Sequence, residues 1–484
     1  MTDEPIGDLP IDDFRRYGHE IVDWIAQYLE ESDRYPVLSR VSPGEICEAL
    51  PTSAPTSPEP IAEILHDFET VVMPGITHWN HPGFLAYFAV TGSIPGILGE
   101  FLAAALNVNG MLWRTSPAAS ELEEVSLGWL RQLMGLPNSF EGVIYDTASI
   151  SSLVAIAAAR EATGLPYRVQ GGSGLPRLRL YCSDQAHSSI EKDAITLGIG
   201  QENVRKIPTD AEFRLDVSKL RAAIDEDLAG GFRPFCVVAT AGTTSTTSVD
   251  PIPAIAEICE MYDLWLHVDA AYGGAAAILP EKRWVLEGAE RADSLVMNPH
   301  KWLFTPVDLS AFFSPRLDTV HAAFSLVPEY LRTGESQVRN YMDYGPQLGR
   351  RFRALKLWFV LRAFGQEGLR ARIREHIRLA QEFAGWVDAS PDWERLAPVP
   401  LSVVCFRAEP AGVPRDALDD LNQRILDEVN ERGRVYLSHT RLNSNFALRI
   451  AIGNLRTDES YVQMAWEELR TCLQSLCSAA PLHG

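Results

Sequence analysis

Apolar residues recur along this chain in two rhythms, and the alternation between them predicts most of its architecture. Phe14, Tyr17, Ile21, Trp24, Ile25 and Tyr28 stand three and four residues apart, which predicts an amphipathic helix over residues 11–32 with Asp12 or Asp13 as its cap. Its stripe is heavily aromatic, and a helix so isolated needs a surface to cover, either its own domain or a second subunit. A Pro-rich connector at 51–60 leads to a second predicted helix at 61–72. Residues 77–88 then crowd four aromatics and two histidines into twelve positions, a density that suits either a core or a pocket wall. Ser116-Pro117 opens a further helix, with Ser as cap and Pro at the first helical position; Leu122, Val125, Trp129 and Leu133 form its stripe and Gly135 its end.

In the middle of the chain the rhythm changes. Short apolar runs at 142–145, 178–182, 235–239, 264–268, 294–297 and 309–313 read as strands, and helical patterns at 150–162, 188–197, 216–228 and 252–262 lie between several of them. This alternation predicts an α/β domain with a mainly parallel sheet, whose sites gather at the carboxyl ends of strands. An Arg-rich helix carrying Phe352, Leu355, Trp358 and Leu361 ends near Gly365 and is followed by another from 367 to about 388. Strands near 402–407, 434–438 and 446–452, with helices near 415–432 and 457–477, read as a small α+β domain. The partition expected is an N-terminal helical segment (1–90), a large α/β domain (91–365) and a small C-terminal domain (366–484).

Composition narrows the function classes. The chain has 484 residues, 46% of them hydrophobic, enough for two or three domains. A net charge of -21 argues against nucleic acid or an anionic membrane as partner. No apolar run reaches membrane-spanning length, and the first residues, Met-Thr-Asp-Glu-Pro, are acidic where a secretory signal is basic, so a cytoplasmic location is expected. Seven cysteines without a Cys-x-x-Cys predict reduced thiols. His78 and His81 have a spacing that could suit a metal, but no third ligand stands nearby and no metal is expected. The absence of Gly-x-Gly-x-x-Gly after the first strand, and of a Walker loop, counts against a dinucleotide dehydrogenase and a nucleotide hydrolase.

The candidate chemistry sits where apolar runs break. Of 43 Lys plus Arg only six are lysine, and Lys301 follows the strand 294–297 in apolar surroundings. A partly desolvated lysine can become a neutral nucleophile, which arginine cannot; alone, this one reads better as a side chain snorkelling from an apolar edge. The strand 264–268 runs into Asp269, a buried acid whose partner is either an arginine or a protonated ring nitrogen, and Ala270, Ala271 and Gly273 beside it would leave room for a flat ring. Asp146-Thr147-Ala148-Ser149 opens a helix and offers an anion site. Thr240 to Ser245 is another hydroxyl-rich strand end, and His187 stands where a helix begins. Each is weak alone. Together they match pyridoxal 5'-phosphate, which has an aldehyde for a lysine, a nitrogen to keep protonated, a ring to sandwich and a phosphate to anchor.

Pro74 to Trp79, Asp184-Gln185-Ala186-His187-Ser188-Ser189, His267 to Tyr272, Asn298-Pro299-His300-Lys301-Trp302 and Gly349 to Arg353 carry a likeness that runs over almost the whole chain. Through them the chain resembles the group II pyridoxal-phosphate decarboxylases, most closely the aromatic-L-amino-acid decarboxylases. The resemblance implies an aspartate-aminotransferase-like, fold-type I homodimer, with the N-terminal segment over its partner. It implies that Lys301 forms the imine with the cofactor, that Asp269 pairs with the pyridinium nitrogen, and that His187 stacks on one ring face with Ala271 near the other. Ala148, Ser149 and Asn298 would hold the phosphate, and Thr244 and His300 would lie close to the ring. Trp79, Tyr87 and Phe88 would form pocket wall, joined by Asn109 and Met111 from the other subunit. Tyr330, in a polar stretch at about 325–345 that reads as a loop, would return the proton to the alpha carbon.

The activity so implied is decarboxylation of tryptophan, tyrosine, phenylalanine or a hydroxylated analogue to amine and carbon dioxide through a quinonoid intermediate. Relatives that make aldehydes tend to replace the tyrosine with phenylalanine or the stacking histidine with asparagine; Tyr330 and His187 both stand. Gly349 occupies the position where plant relatives preferring indolic substrates have glycine, which favours tryptophan. The alternatives are an aromatic aldehyde synthase, a decarboxylase of a non-aromatic amino acid, and, remotely, a non-catalytic scaffold.

Overall fold

Seven strands form the main sheet: β1 (Glu141–Tyr145), β2 (Leu178–Ser183), β3 (Val204–Ile207), β4 (Arg233–Thr240), β5 (Trp265–Asp269), β6 (Ser294–Met297) and β7 (Ser310–Ser314). This computed structural model describes residues 8–326 and 337–479. The strands lie in the order β1-β7-β6-β5-β4-β2-β3. From β6 through β3 all pairings are parallel, and β7 runs antiparallel to both of its neighbours. The expected α/β class is therefore observed. β4 and β5 are near-continuous apolar runs because both faces of a central parallel strand are covered. On one face Leu180, Cys182, Val238 and Phe312 pack with Val154 and Ala155 of the helix Ala148–Ala162 and with Ile190 and Ala194 of the helix Ser189–Thr196. On the other, Val237, Ala239, Leu266 and Val268 pack with Ile255 and Ala256 of the helix Ile252–Tyr262 and with Leu357 and Val360.

A second sheet, in the order β10-β11-β9-β8, contains β8 (Trp393–Arg395), β9 (Val403–Ala408), β10 (Ser438–Leu442) and β11 (Asn445–Ala451), all antiparallel. The strand expected at 434–438 begins at Ser438 instead; Val435 and Leu437 are apolar because they are buried, not because they pair in the sheet. β3 has no counterpart among the expected strands, since Val-Arg-Lys-Ile offers only two apolar positions at a sheet edge. The helix Ala354–Asp388 is interrupted at Gly365, whose φ of 59° only glycine adopts readily, and this separates the two helices read from the pattern.

Of the described residues, 85–326, 337–424 and 437–455 make one compact unit and 8–84, 425–436 and 456–479 another. Both sheets belong to the first. The second carries the helix Ile11–Glu30, which buries none of its residues; Ile11 and Phe14 are 68% and 63% exposed. Asp12 and Asp13 do not cap this helix. The cap position is Pro10, and the two acids lie inside the first turn, ion-paired to Arg15 and Arg16. Ser116 does cap its helix, accepting the N–H of Ala119 at 3.2 Å. His78 and His81 serve structural contacts: the Nδ1 of His78 is 3.0 Å from the Tyr28 hydroxyl, and that of His81 accepts the N–H of Gly83 at 2.8 Å. All seven cysteines are free. No helix among the described residues is long and apolar enough to cross a membrane.

Candidate active site

The carboxyl ends of β4, β5 and β6 open on one edge of the sheet. Asp269 ends β5, pairs in register with Thr240 at the end of β4, and is 6% exposed. Its Oδ1 accepts the N–H of Ala271 at 3.1 Å. The carbonyl of Ala271 accepts the N–H of Asn298 (3.1 Å), and the carbonyl of Asn298 accepts the N–H of Lys301 (3.0 Å). Backbone hydrogen bonds thus tie the loop bearing the acid to the short helix, Pro299–Trp302, bearing the lysine. Their separation is set by the sheet rather than by a flexible side chain.

Lys301 extends its ammonium to 5.3 Å from the centroid of the Phe88 ring. Among the described residues no carboxylate forms an ion pair with it. Burial pushes its pKa below the ordinary lysine range; Asp269 opposes the shift and Arg449 adds to it. Phe88 is the first ring of a stack that continues through Tyr272 (centroids 3.8 Å apart) and Trp302 (4.6 Å, planes 3° apart). The stack is pinned by Trp302 Nε1 donating to Nδ1 of His376 at 2.9 Å and by the Tyr272 hydroxyl 2.6 Å from Ser402 Oγ. A rigid aromatic floor therefore lies under the amine.

Arg449, on β11, is a site residue that the pattern of strand ends does not pick out. Its Nη1 donates to the Tyr87 carbonyl at 2.7 Å and its Nε to the Ser245 carbonyl at 3.1 Å; the guanidinium stands 4.9 Å from the Phe88 centroid. It is buried, and among the described residues Nη2 has no partner. The signal that could find it is a charged residue inside the buried strand Asn445–Ala451, which must meet something polar.

His187 is exposed just ahead of the helix Ser189–Thr196, and its Nδ1 accepts the N–H of Ser189 at 3.2 Å, which assigns the ring proton to Nε2. Desolvation lowers its pKa, with Asp269 opposing and Lys301 reinforcing, so the ring lies in the field of both. His300 Nδ1 accepts the N–H of Leu309 at 2.9 Å, and burial takes its pKa down to about 3, leaving it neutral. The helix Ala148–Ala162 starts at Thr147 without a side-chain cap, so the first N–H groups, with Ala148 and Ser149, remain available to an anion. Asn298 Oδ1 and Thr240 Oγ1 are buried without partners among the described residues, as expected of polar atoms that await a ligand. These features fit pyridoxal phosphate.

Other expectations need adjustment. Gly273 is small because a Cβ there would come within 2.4 Å of the Ala241 carbonyl, and Ala270 is wholly buried in the core; of the small residues after Asp269, only Ala271 is left to flank a ring. Thr244 is exposed in the loop after β4. Tyr87 is 50% exposed at a φ of 51°, held by Arg449. Asn109, Met111 and Gly349 come together: Asn109 Oδ1 accepts the N–H of Arg350 at 2.9 Å, and its Nδ2 lies 3.6 Å from the Met111 sulfur. Trp79 belongs to the other compact unit, where it stacks on Phe84 at 4.3 Å. Tyr330 lies outside the described residues.

Residues 43–409 match the profile of the pyridoxal-dependent decarboxylase conserved domain. Tyrosine decarboxylase 4 of Petroselinum crispum is 42% identical over 491 residues, covering 98% of this chain and 96% of that protein. Phenylacetaldehyde synthase of Arabidopsis thaliana is 42% identical over 464 residues, with 94% of each covered. Among solved structures, Oryza sativa TDC with PLP and tryptamine superposes with a TM-score of 0.94 at 36% identity, covering 98% of this chain and 100% of that one.

Proposed function

Because the chain belongs to the pyridoxal-dependent decarboxylases, we propose that it removes the carboxyl group of an aromatic L-amino acid to give the amine, acting as a homodimer. The observation that carries this reading is the buried amine of Lys301, free of any carboxylate partner among the described residues and tied through the backbone to the loop of Asp269. Bound at this edge, pyridoxal phosphate supplies an aldehyde for amine exchange and a ring that takes up electrons from the breaking carbon–carbon bond.

The protein's own groups do the rest. Lys301, with its pKa lowered by burial, presents an amine that gives up its proton more readily than a solvated lysine. Asp269, oriented by the Ala271 N–H, holds a proton on the ring nitrogen through a charged hydrogen bond worth about 1.5–3 kcal/mol. The helix start at Ala148 and Ser149, with Asn298, would hold the phosphate, and His187 and Ala271 would flank the ring. Arg449 aims an unpartnered N–H beside Phe88, where it can meet the substrate carboxylate. The exposed apolar residues of the helix Ile11–Glu30 support pairing with a second copy, which would bring Asn109 and Met111 to the partner's pocket. Tyr330 is assigned the return of the proton to the alpha carbon.

A product assay across the aromatic amino acids tests the reading. One carbon dioxide and one amine per substrate is the expected result. Aldehyde with hydrogen peroxide would establish the second reading, which the likeness to a phenylacetaldehyde synthase keeps in play; Tyr330→Phe is expected to move the products in that direction.

A further inference from the structure

We propose that Asp193 is a positioning residue of this site, a second carboxyl set in the same layer as Asp269 that decides how much negative charge the ring nitrogen feels. The inference rests on Asp269 pairing with that nitrogen. Strand alternation places Thr240 and Asp269, register partners at the ends of β4 and β5, on the sheet face that the helices Ala148–Ala162 and Ser189–Thr196 cover. Asp193 sits in the second of these helices between Ile190 and Ala194, both core residues of that layer, and is 4% exposed.

The layer offers the carboxyl little. Among the described residues Asp193 Oδ2 has no hydrogen-bond partner, and neither has Thr240 Oγ1. A buried carboxylate without donors is costly, so it retains its proton. Burial, reinforced by the charge of Asp269, pushes the pKa of Asp193 up to about 8. Asp269 differs from it in having the Ala271 N–H on its Oδ1 and the Lys301 ammonium in its field.

The surroundings do not neutralise Asp193. His267 on β5 is kept uncharged by burial, with a pKa of about 4, and Cys182 on β2 is held protonated, pushed up to about 12. Lys206 on β3 is ion-paired with Glu191 at 3.2 Å, and Arg160 of the helix Ala148–Ala162 donates to the Leu197 carbonyl. His187 interacts with Asp269 and Lys301, and Lys192 is the remaining charge on the same helix. As pH rises past about 8, loss of the Asp193 proton therefore adds a negative charge to the layer that holds Asp269.

The test is a pH titration of the visible absorption of the purified holoenzyme between pH 6 and 10. Wild type is expected to show a transition near pH 8 that Asp193→Asn loses and Asp193→Glu restores at a shifted pH. Thermal unfolding of the cofactor-free protein gives an independent readout. Between about pH 4 and 8 the native carboxyl holds a proton that the unfolded chain has released, so the wild-type midpoint, relative to Asp193→Asn, should fall through that window and keep a constant offset above. Superimposable titrations of wild type and Asp193→Asn overturn the proposal. Loss of cofactor by Asp193→Asn at pH 6.5, where the amide mimics the protonated acid, overturns it as well. Asp269→Asn separates the two ideas: if that variant keeps its cofactor and its spectrum unchanged, the reading of the whole site fails, whereas an unaltered Asp193→Asn alone sinks only the role of Asp193.

Discussion

Two lysines lie inside the same compact unit and are held in opposite ways. Lys356 is 1% exposed and ion-paired with Glu100, which also holds Arg351 at 2.7 Å. Lys301 is less deeply buried, lies over Phe88, and has no paired carboxylate among the described residues. Burial lowers the pKa of both, but at Lys356 a hydrogen bond from the ammonium to Glu100 pushes back, while at Lys301 the opposition is the charge of Asp269 without a hydrogen bond. Burial alone thus does not make a reactive amine. The absence of a direct acceptor distinguishes the lysine that can exchange its proton for a covalent bond from the one that staples two helices, Ile94–Leu106 and Ala354–Asp388.

The most forceful way to break this contrast is to remove each amine in turn. Lys301→Ala should lower carbon dioxide release by a factor on the order of a thousand or more, since a covalent catalyst is lost. Borohydride reduction of the holoenzyme should fix the cofactor on the peptide carrying Lys301 and leave the peptide carrying Lys356 unlabelled. Label on Lys356, or undiminished turnover by the Lys301→Ala variant, would erase the distinction.

How far the contrast is legible in the sequence depends on the residue. Asp269 and Lys301 are readable because one ends an apolar strand and the other closely follows one, and the two charges, each with an inert explanation alone, together match a single cofactor. The six strands of the main sheet other than β3 are readable as short apolar runs, while β3 at the sheet edge, with Arg205 and Lys206 half exposed, carries too few apolar positions to register. Lys356 reads as one more cation on an Arg-rich helix, and only tertiary packing shows that Glu100, 256 residues away along the chain, reaches it. Asp193 follows Glu191 and Lys192 and so looks like part of a solvated face; the helical rotation that turns it inward with Ile190 and Ala194 becomes decisive only once the neighbouring helix is in place. Sequence pattern exposes charges that interrupt strands better than charges that interrupt helices.

A smaller effect is expected when the structural pair is cut. Lys356→Met keeps the aliphatic stem and loses the charge, leaving Glu100 with Arg351 alone. Because Glu100 keeps one cation, the cost should fall below that of an orphaned buried charge, at about 1–3 kcal/mol in denaturant unfolding. Cofactor content and turnover per folded molecule should be retained. In a double-mutant cycle with Glu100→Gln the two losses should be less than additive; strict additivity would mean that the pair contributes nothing beyond packing.

Lys301→Met in the cofactor-free protein should act in the opposite sense, and its pH dependence fixes the sign. Burial depresses the folded pKa of Lys301 below its unfolded value of about 10.4. Between those two values the unfolded chain binds more protons than the native one, so unfolding free energy rises with pH through that window. Below it the native protein bears the full cost of a buried ammonium with no acceptor. Lys301→Met removes that cost, so the apoprotein variant should be more stable than wild type at low pH, and the gap should close as pH climbs toward the unfolded lysine pKa. Melts of the two proteins at matched pH values read this out. A gap that does not vary with pH would mean that Lys301 ionises as freely inside the fold as outside it, and the difference between the two lysines would then reduce to the presence of Glu100 beside one of them.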